Sequence, residues 1–209
     1  MAGLIAKIIL YFCRLISGVQ VEIKDAELIN GTLIFYGNHS SHLDSMVILS
    51  LLPKELREKT FIVGSKKYWQ ANAVRRYVSN RVFKTMLIDR SGEGNEAGAF
   101  AAISNMSNIL SEGNCIIIFP EGTRSLDEGV SNFKGGIYHL AKKNNDVKLV
   151  PIFLENMNRI MPKGELIVIP LLGRAVFGNP IKLTEDEGKE EFLIRARNEL
   201  AALGRNDLG

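Results

Sequence analysis

Two histidines and an aspartate fall within six residues in G-N-H-S-S-H-L-D-S, Gly37 to Ser45, straight after an apolar run. Residues of these types at this spacing ligate a metal, pair as a base with its orienting carboxylate, or turn a strand into a helix. A zinc site wants three or four His, Cys or carboxylate ligands. The chain holds only three histidines, so the set would be His39, His42, Asp44 and His139. That is not the usual zinc set, and no metal is expected. For a catalytic pair, His39 ends the strand and Asp44 stands five residues later, where a helix should begin. Folded back, Asp44 would accept the proton of one ring nitrogen, fix the tautomer and leave the other nitrogen as a base. An unperturbed imidazole, with pKa about 6.5, suits proton transfer near neutrality. Alone, the stretch reads better as a helix cap and a surface turn, because H-x-x-x-x-D arises often by chance.

The elements that must position these residues alternate. Thr32–Tyr36, Thr60–Gly64, Phe83–Arg90, Cys115–Pro120, Leu149–Leu154, Leu166–Pro170 and Arg174–Gly178 read as strands. Ser45–Pro53, Tyr68–Val78, Glu96–Ser111 and Gly136–Lys143 read as helices, the third closed by Gly113. Thr184–Leu203 reads as a capped, amphipathic terminal helix. C-I-I-I-F-P is a continuous apolar run, the mark of a strand buried on both faces of a parallel sheet. Strands alternating with helices predict an α/β fold: a single domain, residues 19–209, with a mixed, mostly parallel sheet flanked by helices. Such sheets carry chemistry beyond the carboxyl ends of their strands. Three strands end in polar clusters, N-H-S-S-H-L-D, I-D-R-S-G and F-P-E-G-T-R-S. If those strands are neighbours, their loops converge.

Residues 1–18 stand apart. Ala2 to Ile16 is apolar but interrupted by Lys7 and Arg14, seven residues apart on one helical face. A spanning helix needs about 20 largely uncharged residues. A secretory signal puts its charge first and ends on small residues. Leu4, Ile5, Ile8, Ile9, Phe12, Leu15 and Ile16 fill the rest of the surface, which fits a short helix in a membrane interface. The competing reading is a terminal helix docked on its own core. The net charge of +3 in 209 residues is too small to argue for nucleic acid, yet suits anionic lipid or phosphate. Cys13 and Cys115 are isolated and form no framework, which points to a reducing, cytosolic compartment. The expected location is therefore the cytoplasmic face of a membrane, peripheral or monotopic.

F-P-E-G-T-R-S, Phe119 to Ser125, changes the weighing. With N-H-S-S-H-L-D it closely resembles the glycerolipid acyltransferase family, enzymes that acylate lysophosphatidic acid. The family carries an N-H-x-x-x-x-D block, a block ending in a basic residue after a strand, an F-P-E-G-T-R block and a V-P-I-type strand. Here they stand in that order at Asn38–Asp44, Leu87–Arg90, Phe119–Ser125 and Leu149–Phe153. The resemblance runs from about Thr32 to Pro180; each block alone is common, and their joint occurrence is specific. Most members begin with longer membrane-embedded segments than the short helix here.

The resemblance implies transfer of a fatty acyl group from a thioester, of coenzyme A or acyl carrier protein, to a lipid hydroxyl. His39 would be the base and Asp44 its orienter, with direct attack and no acyl-enzyme. No cofactor is implied beyond the acyl co-substrate. The partners implied are lysophosphatidic acid, the acyl carrier and a membrane surface. Arg124 is the expected phosphate ligand, by resemblance and by its fork geometry, and Arg90 is second. Lys67 and Lys134 are additions. Glu121 either pairs with Arg124 or belongs to the acceptor site, Thr123 shares its block, and Ser40 helps bind substrate. Backbone N–H groups around Gly122 are expected to meet the oxyanion. The absence of a G-x-S-x-G elbow argues against a serine hydrolase. His42 is not expected as base. His139, Tyr68 and Trp69 read as packing residues, and Asp89 as a support for Arg90. Other readings are a different acceptor (another lysophospholipid, hydroxyl or amine) and a non-catalytic phospholipid-binding protein.

Overall fold

The computed structural model describes residues 2–24, 30–89, 96–125, 129–157 and 172–205, without the side chains of residues 2 and 96. Its strands are β1 (Gln20–Ile23), β2 (Leu33–Gly37), β3 (Thr60–Ser65), β4 (Thr85–Ile88), β5 (Cys115–Ile118), β6 (Lys148–Glu155) and β7 (Arg174–Phe177). The helices are α1 (Ala2–Ser17), α2 (Asp44–Leu51), α3 (Lys54–Glu58), α4 (Lys66–Trp69), α5 (Ala73–Tyr77), a π-helical turn (Val78–Val82), α6 (Glu96–Ser111), α7 (Gly136–Lys143) and α8 (Lys189–Ala202).

The strands form one sheet in the order β1-β7-β6-β2-β5-β3-β4. Among the described pairs only β6–β7 is antiparallel. The α/β reading of the sequence therefore holds. The central strands are buried on both faces, and the alternation of their side chains splits the core in two. Leu33, Phe35, Cys115, Ile117, Val150 and Ile152 face one layer, where Met46, Val47 and Ile48 of α2 cover them together with Leu10 and Cys13 of α1. Ile34, Tyr36, Ile116 and Leu149 face the other, under Met106 and Leu110 of α6, Ile137 and Leu140 of α7, and Phe192 and Ala196 of α8. Because β2, β3 and β5 run parallel side by side, their carboxyl ends share one edge, and the loops after them meet there.

Several element boundaries differ from the sequence reading. β1 is unforeseen: Q-V-E-I lies at a sheet edge with no fully buried residue, so it carries no apolar signal. α3 is likewise unforeseen. The helix expected over Tyr68–Val78 breaks into α4, α5 and the π-turn, because the side chain of Asn72 accepts the Arg75 N–H at 2.9 Å and starts a new helix. The terminal helix begins at Lys189 rather than Thr184. The Thr184 hydroxyl and amide bond Glu187 locally, and Glu187 grips Arg195 at 2.6 Å, so the apparent capping box closes a turn ahead of the helix. His139 is exposed on α7 and touches Tyr138, where packing was expected. The strand expected at Leu166–Pro170 lies outside the described residues. Among the described residues no helix is long and apolar enough to cross a membrane.

Candidate active site

β2 delivers the first block. It ends at Gly37, where an added Cβ would stand 2.8 Å from the Ile152 carbonyl, so β6 runs close against it. Asn38 extends the pairing with its side chain. Its Nδ2 donates to the Leu154 carbonyl and its Oδ1 accepts the Leu154 N–H, both at 2.8 Å. The next residue, His39, thus leaves the sheet from a fixed platform.

His39 is held from several directions. Its Nδ1 lies 2.8 Å from Oδ2 of Asp44, the fully buried first residue of α2. That same oxygen accepts the N–H groups of Ser40 at 2.8 Å and Ser41 at 2.9 Å. Two backbone N–H groups and the imidazole thus converge on one oxygen at the head of α2. An ionised carboxylate only accepts, so Nδ1 carries the ring proton and Nε2 keeps a lone pair. Asp44 thus ties the turn ahead of α2 to the imidazole and accepts no N–H of the helix itself, so the helix-cap reading of this stretch is corrected. The His39 N–H donates to Glu121 Oε1 at 2.9 Å, and its carbonyl accepts the Ser125 N–H at 2.8 Å. The Phe119 ring stacks on the imidazole, centroids 4.3 Å apart and planes 18° apart.

Glu121 comes from the turn after β5 and is buried. Its carboxylate takes the His39 amide rather than pairing with Arg124. Burial pushes its carboxyl above the ordinary carboxylate range; donation from the His39 amide and from Ser131 pulls the other way. Gly122 has φ +77°, a left-handed conformation suited to glycine. Its N–H donates to the Phe119 carbonyl at 3.0 Å. The turn thus engages the Gly122 N–H itself.

A cavity of about 1190 Å³ opens beside these residues. His39, His42, Phe119, Gly122, Thr123, Arg124 and Lys134 line it, and so do Val63, Met106, Ile118 and Leu140 from the apolar core. Arg124 Nη1 is buried without a hydrogen-bond partner among the described residues; so, away from the cavity lining, is Asp44 Oδ1. The Lys134 side chain lies along the space a Cβ on Gly122 would fill. Lys67, exposed on α4, does not line the cavity. The Ser40 backbone serves Asp44, and its side chain is not on the cavity wall. Arg90 lies outside the described residues. Asp89 lines the cavity and lies 3.6 Å from Lys66 Nζ.

Some contributors are absent from the sequence reading. Asn38 and Phe119 stand inside the two motifs, yet nothing in their spacing shows the clamp or the stack. His42 stacks on Tyr68 (centroids 4.5 Å apart), and the Arg75 guanidinium lies over Tyr68 at 4.3 Å. Burial first, then the charges of Arg124, Arg75 and His39, push the His42 imidazole down to about 4. It is neutral near pH 7. Trp69 packs in the core against Gly64, as read.

A sequence model of the family described as Acyltransferase matches residues 19–155. A 1-acyl-sn-glycerol-3-phosphate acyltransferase of Cocos nucifera is 30% identical over 179 residues, which span 85% of this chain and 54% of that protein. The alpha form of the enzyme of that name from Homo sapiens is 24% identical over 164 residues, 77% of this chain and 54% of that protein. The chain spans about half the length of the curated relatives it matches. In fold it is similar to the crystal structure of the 1-acyl-sn-glycerophosphate (LPA) acyltransferase PlsC from Thermotoga maritima. The TM-score is 0.71 at 23% identity, covering 98% of this chain and 80% of that one.

Proposed function

The chain belongs to the Acyltransferase family, and on that premise we propose that it moves a fatty acyl group from an acyl thioester to the hydroxyl of 1-acyl-glycerol-3-phosphate. The product is phosphatidic acid, a step of phospholipid biosynthesis. The observation that carries this reading is His39, paired with Asp44, on a cavity wall that also presents Arg124, whose Nη1 has no hydrogen-bond partner among the described residues. One group takes a proton, the other takes a phosphate, and the apolar wall between the core layers accommodates a hydrocarbon chain.

His39 Nε2 removes the acceptor's hydroxyl proton as the oxygen attacks the thioester carbonyl. The tetrahedral intermediate collapses, the C–S bond breaks, and the thiolate leaves and takes the proton from the imidazolium. Asp44 holds the ring in its tautomer and stabilises the positive charge of the intermediate state. General base catalysis of this kind is worth roughly 10²–10⁴-fold. Arg124, helped by Lys134 and Arg90, grips the acceptor's phosphate. Glu121, Thr123 and Gly122 shape that pocket. The acyl carrier is coenzyme A or acyl carrier protein, and no further cofactor is proposed. The enzyme works at the cytoplasmic face of a membrane, held by α1. One face of α1 packs on α2 while Leu4, Ile8, Tyr11, Phe12 and Leu15 remain exposed.

The test is thiol release from palmitoyl-coenzyme A, with and without lysophosphatidic acid, in wild type and His39→Ala. Acceptor-dependent release that disappears in the variant is expected. Release without acceptor would make the protein a thioesterase. No release with either carrier would overturn the reading.

A further inference from the structure

We propose that α5 and the π-turn after it are a second membrane-docking element, one that seats the mouth of the cavity on an anionic bilayer. This rests on the reading above that the acceptor is a membrane lipid.

From Lys66 to Ile88 the chain contains six cations, Lys66, Lys67, Arg75, Arg76, Arg81 and Lys84, and no acidic residue. The whole protein carries only +3, so the charge is concentrated here and along α1 rather than spread. Within this basic run α5 has no buried residue. Val74 and Tyr77, one helical turn apart, are 72% and 48% exposed. Apolar and aromatic side chains standing out between arginines match a bilayer interface, where tails take the former and anionic headgroups the latter. A nucleic-acid surface would not need the valine, and an ordinary solvated helix would carry acids among its bases.

The position adds to the composition. Val78 and Val82 of the π-turn pack into the same core layer as Ala6, Ile9 and Ile16 of α1. The basic segment is therefore braced against the helix whose outer face is itself apolar. At its other end, Arg75 lies on Tyr68 and Tyr68 lies on His42, which lines the cavity. A lipid leaving the bilayer at α5 thus meets the site through one stack of side chains. Lys66 is tied to Asp89; the arginines of α5 and the π-turn supply the lipid-facing charge.

The experiment is sedimentation of the full chain with vesicles of phosphatidylcholine containing phosphatidylglycerol, and with phosphatidylcholine alone. Val74→Ser with Tyr77→Ser should weaken binding to the anionic vesicles roughly tenfold. Arg76→Gln with Arg81→Gln should weaken it by a similar factor and flatten its salt dependence. Activity on a short-chain, water-soluble lysophosphatidate should stay as in wild type, because none of these residues lines the cavity. Thermal melts establish that both double variants fold. Unchanged vesicle binding in folded variants, or loss of binding only when Leu4 and Ile8 of α1 become serine, overturns the inference. Vesicle binding that depends on Val74 and Tyr77 in a protein inactive on lysophosphatidate would sink the proposed reaction and leave the docking element standing.

Discussion

The ring of Phe119 lies flat on the imidazole of His39, with centroids 4.3 Å apart. Phe119 directly follows β5 and His39 lies two residues beyond β2, and those strands are neighbours. The stack removes rotational freedom from the ring that presents Nε2 in the proposed reaction. Phe119→Ala should therefore lower kcat, by roughly two- to tenfold from the lost ring contact, with little change in KM for the acceptor. Phe119→Tyr should restore most of it. Steady-state kinetics on both variants check this; an unchanged kcat in the alanine variant contradicts it.

Asn38→Ala should be a stability variant first. It strands the N–H and carbonyl of Leu154, a residue with almost no exposure. Each buried, unmatched group costs about 1–3 kcal/mol, so urea unfolding should show a loss of roughly 2–5 kcal/mol. Asn38→Asp should fare no better, since a carboxylate cannot donate to the carbonyl. A loss below about 0.5 kcal/mol in the alanine variant would show that the clamp is dispensable.

Glu121→Gln should separate stability from pH. Burial holds the Glu121 carboxyl above its ordinary range. A raised folded-state pKa means that the protonated form favours folding. That contribution is complete below the unfolded value and is lost as pH rises through the folded one. Glutamine keeps an oxygen to accept the His39 amide and carries no charge. Its Tm advantage over wild type should thus be smallest in acid and grow toward alkaline pH. Melts across that range that show a constant difference would mean the carboxyl is not shifted upward.

Arg124→Ala should raise the acceptor's KM, roughly ten- to a hundredfold for a lost charge-assisted pair. Arg124→Lys should recover part of it, as a point charge without the fork. A fall in kcat at constant KM would place Arg124 in the chemical step instead.

The fold class was legible because C-I-I-I-F-P and T-L-I-F-Y are uninterrupted apolar strands, and a parallel sheet needs such runs. The proximity of His39 and Asp44 was legible because one turn joins them. Asn38 and Leu154 were not, being 116 residues apart; no local pattern reports a partner at that distance. The break between α4 and α5 was missed because the apolar period of Tyr68–Val78 continues through Asn72, whose capping role depends on a backbone that turns there. Thr184 and Glu187 misled in the opposite direction: a capping-box spacing served a turn held by Arg195.

The Asn38–Leu154 clamp also bears on how the protein is made. β2 lies between β5 and β6, both of which lie far downstream in the chain. During synthesis, the histidine near residue 40 emerges long before the strands that hold it, and parallel pairs of such wide separation form slowly. A nascent or truncated chain lacking residue 154 has the base but no platform for it. The reactive geometry is thus withheld until most of the polypeptide has left the ribosome.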